Sequence, residues 1–307
     1  MNFSSMEYFA VLAQELSFTR AAERLHITQQ SLSSHIAGME KELGCQLVVR
    51  HVPLELTYAG QTLLRYATDF LKTHTDLQRE FCDISQNQRG LFHVGAGSAR
   101  GRAILPAAIA AFGAVCPNIS VELLEASNDV LRQKLQEREL DLAVADFPET
   151  APDIRTREFY REEIVLLIGK KLFASVCGAD AADVRRRFRS GDFGALKNFP
   201  FVLGGPDDVD GRIATDFLRR AGVERPTIKA RSHSVGMLAE LCAHGIGACF
   251  CPKELAGSIL GEERLKKLLR FRLGEQTRYF VRFGYHEQSY QWSVIETFMR
   301  CAVSARG

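Results

Sequence analysis

The chain has 307 residues, 46% hydrophobic and 25% charged, with a formal net charge of +2, proportions that suit an ordinary globular protein of two or three domains. No run of about 18 apolar residues occurs, which argues against a membrane-spanning helix, and the first residues lack a basic start and carry Glu7 and Glu15 within an apolar stretch, unlike an export signal. The eight cysteines (Cys45, Cys82, Cys116, Cys177, Cys242, Cys249, Cys251, Cys301) are scattered without a CxxC pair, so reduced, mostly buried thiols in a cytoplasmic protein are expected.

From Met6 to Leu16 the apolar residues Met6, Phe9, Ala13 and Leu16 fall at helical spacing. Ser17-Phe18-Thr19 offers capping hydroxyls to a short second helix, Arg20 to Leu25, and His26-Ile27-Thr28 makes a turn, histidine being tolerant of positive φ. Thr28 is placed to cap a third helix, Gln29 to Leu43, which Gly44 ends. Leu32, Ile36, Met39 and Leu43 form its apolar stripe, and the other side shows Gln29, Gln30, Ser31, Ser33, Ser34 and His35.

A short helix, a tight turn and a second helix with a buried stripe make a helix-turn-helix. Its polar face is rich in short donors and acceptors of the kind that read base edges. Arg20 and Arg24 share a helix face from which to reach phosphates. Net charge gives no support, since residues 1–58 hold four basic side chains against six acids; any DNA binding must rest on where the charges point. Gln46 to Arg50 and Leu54 to Thr57, around His51-Val52-Pro53, read as a hairpin in the position of a wing.

These residues carry a resemblance. Phe18-Thr19-Arg20-Ala21-Ala22-Glu23-Arg24-Leu25-His26-Ile27-Thr28-Gln29-Gln30-Ser31-Leu32-Ser33 resembles the signature of the LysR family of bacterial transcription regulators, as do Met39 to Gly44, Leu47, Arg50 and Leu56 to Gly60. The resemblance implies that Gln29, Gln30, Ser31, Ser33 and Ser34 face the major groove of double-stranded promoter DNA and that Arg50 holds the backbone or minor groove from the wing. Gln30 stands where the family often has proline, Ser34 where a basic residue is common, and Val48 where phenylalanine is frequent.

Thr57 can cap a helix from Tyr58 to about Gln88, before the turn signals Asn87-Gln88-Arg89-Gly90. Leu63, Ala67, Phe70, His74, Leu77, Phe81 and Ile84 recur along it at alternating spacings of four and three, a heptad seam that implies a partner helix. In the family this helix is a dimer arm, so a homodimer through 58–88, and a homotetramer built from it, is the expectation.

The remainder alternates strand and helix, which points to a parallel sheet covered by helices. The strands are Leu91 to Gly97, Ile119 to Glu125, Leu140 to Ala145, Ile164 to Ile168, Phe201 to Leu203, Thr227 to Ala230, Ala248 to Pro252 and Arg278 to Tyr285. The helices are Arg102 to Val115, Asp129 to Arg138, Arg212 to Ala221, Ser234 to Ala243 and Gln291 to Cys301; Ala181 to Arg189 reads as a solvated basic helix. Gly245-Ile246-Gly247 is a helix-to-strand turn rather than a nucleotide loop, and no catalytic or metal-binding motif emerges, so no enzyme activity and no cofactor are expected.

Gly95-Ala96-Gly97-Ser98 closes a strand and opens toward a helix, where open α/β sheets take ligands. The resemblance implies the rest: a winged helix-turn-helix (1–58), a linker helix (59–89) and a two-lobed, periplasmic-binding-protein-like effector domain (90–307). Lobe I spans about 90–163 and 268–307, and lobe II about 164–267. Ser98, Ala99 and Arg100 would form one wall of the cleft, with Ser127, Asn128 and Asp146. Gly204, Gly205, Ser232, His233 and Ser234 would face them. Arg100 suggests a small anionic effector held through a bidentate pair. Two alternatives remain open: a thiol-based redox regulator, with Cys249 and Cys251 side by side on one strand face, and a solute-binding or enzyme domain fused to a helix-turn-helix.

Overall fold

The computed structural model describes residues 2–51, 53–85, 88–148, 151–206, 208–287 and 290–306, which fall into two compact units, 1–87 and 88–307. Val52 of the wing turn and Asn87 of the turn after the linker helix lie outside the described residues.

In the first unit the caps are where the hydroxyls stand. α1 (Phe3–Glu15) starts on Asn2, α2 (Phe18–Arg24) on Ser17 and α3 (Gln29–Leu43) on Thr28, each side chain accepting a first-turn N–H. His26 adopts φ of +55° in the turn between α2 and α3, and Gly44 ends α3 at +69°. Phe9, Leu12, Ala21, Ala22, Leu32, Ile36 and Met39 close the core. Leu43 is not among them: it lies in the last turn of α3, past the edge of this small core, and is 42% exposed. The wing is a two-stranded antiparallel ribbon, β1 (Val48–Val49) on β2 (Glu55–Leu56).

α4 (Tyr58–Ile84) is capped by Thr57 and ends four residues before the expected Gln88. Gly60 lies so close to the wing that a Cβ there would stand 2.1 Å from the Leu47 carbonyl oxygen, so only glycine fits. The heptad seam divides in two. Leu63 and Ala67 are buried in the core, and Phe70 and His74 pack on the Phe3 ring at 4.7 and 4.5 Å. Leu77, Phe81 and Ile84 continue the same stripe and are exposed.

The second unit opens with β3 (Gly90–Ala96), α5 (Ser98–Val115), β4 (Ile119–Glu125), α6 (Asn128–Gln136) and β5 (Leu142–Ala145). Next come the long β6 (Ile154–Gly169), α7 (Lys170–Cys177), α8 (Ala181–Arg189), β7 (Pro200–Leu203), α9 (Val209–Arg220) and β8 (Thr227–Arg231). It closes with α10 (Val235–Ala243), β9 (Cys249–Pro252), α11 (Lys253–Leu265), β10 (Leu268–Arg272), β11 (Arg278–His286) and α12 (Ser293–Arg306). β3 runs parallel to β4 and β5, and β7 parallel to β8, as the alternation predicts. The sheet as a whole is mixed, because β6 and β11 run antiparallel to each other and β11 antiparallel to β5.

β6 defines the two lobes. Its first half pairs with β11 over Ile154 to Glu163, and its second half pairs with β9 and β10 over Ile164 to Gly169. A continuous strand thus passes from one lobe to the other. β10 was expected in the first lobe, but its five residues are hydrogen-bonded to the second half of β6, and Leu269 and Phe271 lie in the second lobe's core. α8 is basic outside and apolar inside: Val184 and Phe188 are buried in that same core, so it is an amphipathic surface helix rather than a fully solvated one.

Candidate functional site

On α3 the buried stripe fixes what is left to solvent. Gln29, Gln30 and Ser34 are exposed, while Ser31 and Ser33 are half-buried on opposite flanks. His35 is also exposed, its ring standing edge-on to Tyr8 at 4.9 Å. Arg20 and Arg24 are exposed, and both turn onto Glu15, at 3.4 and 3.0 Å. The hydrogen bond from Arg24, with those from Arg20, draws the Glu15 carboxyl below its ordinary range. Arg50 projects from the wing over the Phe18 ring and pairs with Glu40 at 3.2 Å. Glu40 also accepts the Leu47 N–H at 2.9 Å, which ties the wing to the end of α3. Sequence reasoning passed over both glutamates, whose only sign was an acid excess in a segment expected to meet a polyanion.

In the second unit a cleft of about 360 Å³ opens between the lobes. Of the expected residues, Ser98, Ala99, Arg100, Ser127, Asn128, His233 and Ser234 line it; Asp146, Gly204, Gly205 and Ser232 do not. α5 begins at Ser98 rather than Arg102, so Ser98 and Ala99 stand in its first turn. Gly97 is the N-cap and no side chain caps the helix. Ser127 spends its hydroxyl on capping α6.

Arg100 does not offer its fork to a ligand. Its guanidinium is bidentate on Glu162 of β6, at 3.0 and 3.4 Å, and lies 3.2 Å from the Tyr279 hydroxyl of β11. Tyr160 donates to Glu162 at 2.5 Å, and the Tyr279 hydroxyl reaches its other oxygen. Burial alone would raise the Glu162 carboxyl, but the Arg100 charge and these hydrogen bonds outweigh it and hold it below the usual range. Glu162 is fully buried and Arg100 only 9% exposed, so removing either partner would strand a buried charge at a cost of about 3–5 kcal/mol. The pair anchors α5 to β6, the strand that passes between the lobes. A sequence separation of 62 residues hid it.

Gly204 and Gly205 act on the cleft indirectly. A Cβ on Gly204 would stand 2.5 Å from an Asp210 oxygen, and one on Gly205 2.5 Å from the His233 ring. Their bareness lets both side chains close on the turn. Asp208 accepts from the Gly205 N–H at 2.9 Å and lies 2.8 Å from His233 Nδ1, and it does not cap α9. Asp210 is 8% exposed, and burial followed by the Asp208 charge raises its carboxyl to about 6. Glu125, Asp208, Asp210 and Tyr279 all line the cleft and were missed. The two aspartates had a legible sign, a Gly-Gly turn running into a helix start. Asp146 lies outside the cleft lining and pairs with Arg212 of α9 at 3.3 Å, a bond that spans the lobes.

Cys242, Cys249 and Cys251 are fully buried. The Cys242 hydrogen bond and burial push the Cys249 thiol well up, and burial pushes Cys251 up. Thiols held protonated and out of solvent are poor nucleophiles.

Sequence profiles settle the family. Residues 3–61 match the bacterial regulatory helix-turn-helix protein of the lysR family, and residues 85–306 match the LysR substrate binding domain. The chain belongs to the LysR family of transcription regulators. It is 29% identical over 261 residues to the uncharacterized HTH-type transcriptional regulator YcgK of Bacillus subtilis, covering 82% of this chain and 80% of that one. It is 28% identical over 267 residues to the nitrogen assimilation regulatory protein nac of Escherichia coli, at 85% and 81% coverage. Among solved structures, full-length CbnR complexed with its target DNA superposes with a TM-score of 0.63 at 18% identity, over 99% of this chain and all of that one. A full-length OxyR variant from Pseudomonas aeruginosa gives 0.68 at 22% identity, over 98% and 94%. At these identities the likeness speaks for the LysR fold alone. No helix among the described residues is long and apolar enough to cross a membrane.

Proposed function

We propose that this LysR regulator, a cytoplasmic protein without enzyme activity, binds double-stranded promoter DNA through α3. In this reading Gln29, Gln30 and Ser34 meet base edges, Ser31 and Ser33 lie at the two flanks, and Arg20, Arg24 and Arg50 hold the backbone. A small-molecule effector bound in the cleft of the second unit modulates that binding. The observation that carries the reading is the exposed Gln29, Gln30 and Ser34 of α3, bracketed by three arginines and set on a capped helix whose other stripe, Leu32, Ile36 and Met39, is buried. The open half of the α4 seam supports a homodimer, which would present two such helices to a two-fold site, and a tetramer would double that again.

The test is fluorescence anisotropy of the full chain on the duplex upstream of its own gene and on a scrambled duplex. Six arginines in a dimer would give log K against log salt a slope of about −5, and Gln30→Ala would cut the preference for the specific duplex by about tenfold. Equal binding to both duplexes, with no salt dependence, refutes the proposal. A redox reading has less support, because the clustered thiols are buried and protonated.

A further inference from the structure

The charges on the cleft walls specify a ligand chemistry, given that the cleft is the effector site. On the first lobe, the first turn of the 18-residue α5 opens into the cavity with no side chain capping it, and the Ser98 hydroxyl lies beside it. Such a turn takes a carboxylate. The neighbouring guanidinium, on Arg100, is neutralised by Glu162. On the second lobe the wall is acidic. Asp208 and Asp210 both line the cavity, Asp208 also meeting His233 and the Gly205 N–H through one oxygen. Asp210 is nine-tenths buried; the backbone N–H groups of Asp210 and Gly211 bond its carboxylate and the Arg100 charge acts on it from a distance, but no salt bridge holds it among the described residues. Burial raises that carboxyl, and a ligand cation beside it would offset the cost of keeping it ionised. A simple anion would satisfy the first wall and be repelled by the second; a simple amine would do the reverse. Val235, Pro252 and Leu255 add an apolar stretch between them.

We propose that the effector is a zwitterion of the α-amino-acid type, its ammonium group held by the Asp208 and Asp210 carboxylates and its carboxylate by the first turn of α5. The cavity, about 360 Å³, is of the size that takes small molecules. The anionic pole is met by backbone N–H groups rather than by the Arg100 guanidinium, which Glu162 holds.

Calorimetric titration of the full chain with three matched series separates the outcomes: the standard L-amino acids, the amines that lack their carboxylate, and the 2-oxo acids that lack their ammonium. At least one amino acid is expected to bind saturably and to shift promoter affinity, with its amine and its 2-oxo acid weaker by about tenfold or more. Asp208→Asn and Asp210→Asn should each weaken it similarly, with the far-ultraviolet circular dichroism unchanged. A 2-oxo acid that binds as tightly as any amino acid, and is lost in Ser98→Glu, overturns the zwitterion and leaves the cleft as effector site. If none of the three series binds or alters promoter affinity, the zwitterion falls.

Discussion

Glu15 shows how single residues set the strength of a contact surface that net charge would not reveal. Its carboxylate engages both Arg20 and Arg24, the two cations of α2. An exposed pair of this kind adds little stability, yet each arginine that moves to a phosphate must leave it. Glu15→Gln should therefore tighten promoter binding by about threefold at low salt and lose the gain as ionic strength rises, measured by anisotropy titrations at several salt concentrations. An unchanged affinity at every salt would mean that the arginines do not reach DNA. Asp210 presents the opposite case, a residue kept at a cost to stability. Its carboxyl titrates near 6 in the folded chain and near about 3.9 when unfolded. The fold thus binds the proton more tightly, so this contribution to stability is full below about pH 4 and is lost as pH rises through about 6. Asp210→Asn should stabilise the second unit by about 2 kcal/mol at pH 7.5 and by little at pH 4, read from urea denaturation at both values. A side chain whose removal stabilises the protein is one retained for function.

At the scale of elements, what could be read was what the local chain dictates. Ser17, Thr28 and Thr57 cap the helices they precede, and His26 and Gly44 take the positive φ their turns need. Elements fixed by distant pairing were not legible. The first half of β6, Ile154 to Arg161, carries charge on both faces and shows no clean alternation; it is a strand because β11 holds it. α11 is interrupted by Gly261 at φ of +68°, which broke its periodicity. The cleft wall fared worst, because the partner that occupies Arg100 of α5 lies far along the chain on β6. α4 was legible in its period but not in its division of labour. Its first half completes the core of the first unit, whereas Phe81 and Ile84 remain 62% and 70% exposed. Phe81→Asp should leave the thermal stability of the isolated protomer nearly unchanged and raise the dimer dissociation constant by about a hundredfold or more, since a charge on a seam meets its own symmetry mate. Analytical ultracentrifugation over a concentration series reads it directly, and a dimer of unaltered strength would place the interface elsewhere.

For the whole molecule, the question is how occupancy of a cleft becomes a change in promoter affinity. A ligand shifts an equilibrium only by its differential affinity for two arrangements, so something must favour one arrangement of the lobes. β6 runs continuously from one lobe to the other, and Arg100 with Glu162 stiffens the junction from inside. Outside the junction, Asp146 of the first lobe and Arg212 of the second hold the observed separation. Burial raises the Asp146 carboxyl, and Arg212 opposes the rise. Since Arg212 is more than half exposed, the pair is worth no more than about 1 kcal/mol, enough to bias lobe positions without locking them. Arg212→Ala should weaken effector binding by about three- to fivefold. By linkage, the effector concentration that half-saturates the promoter response should rise by the same factor. Calorimetry gives the first number and anisotropy at fixed DNA the second. If the two factors disagree, lobe arrangement and DNA affinity are not coupled through a shared equilibrium, and cleft closure is not the switch.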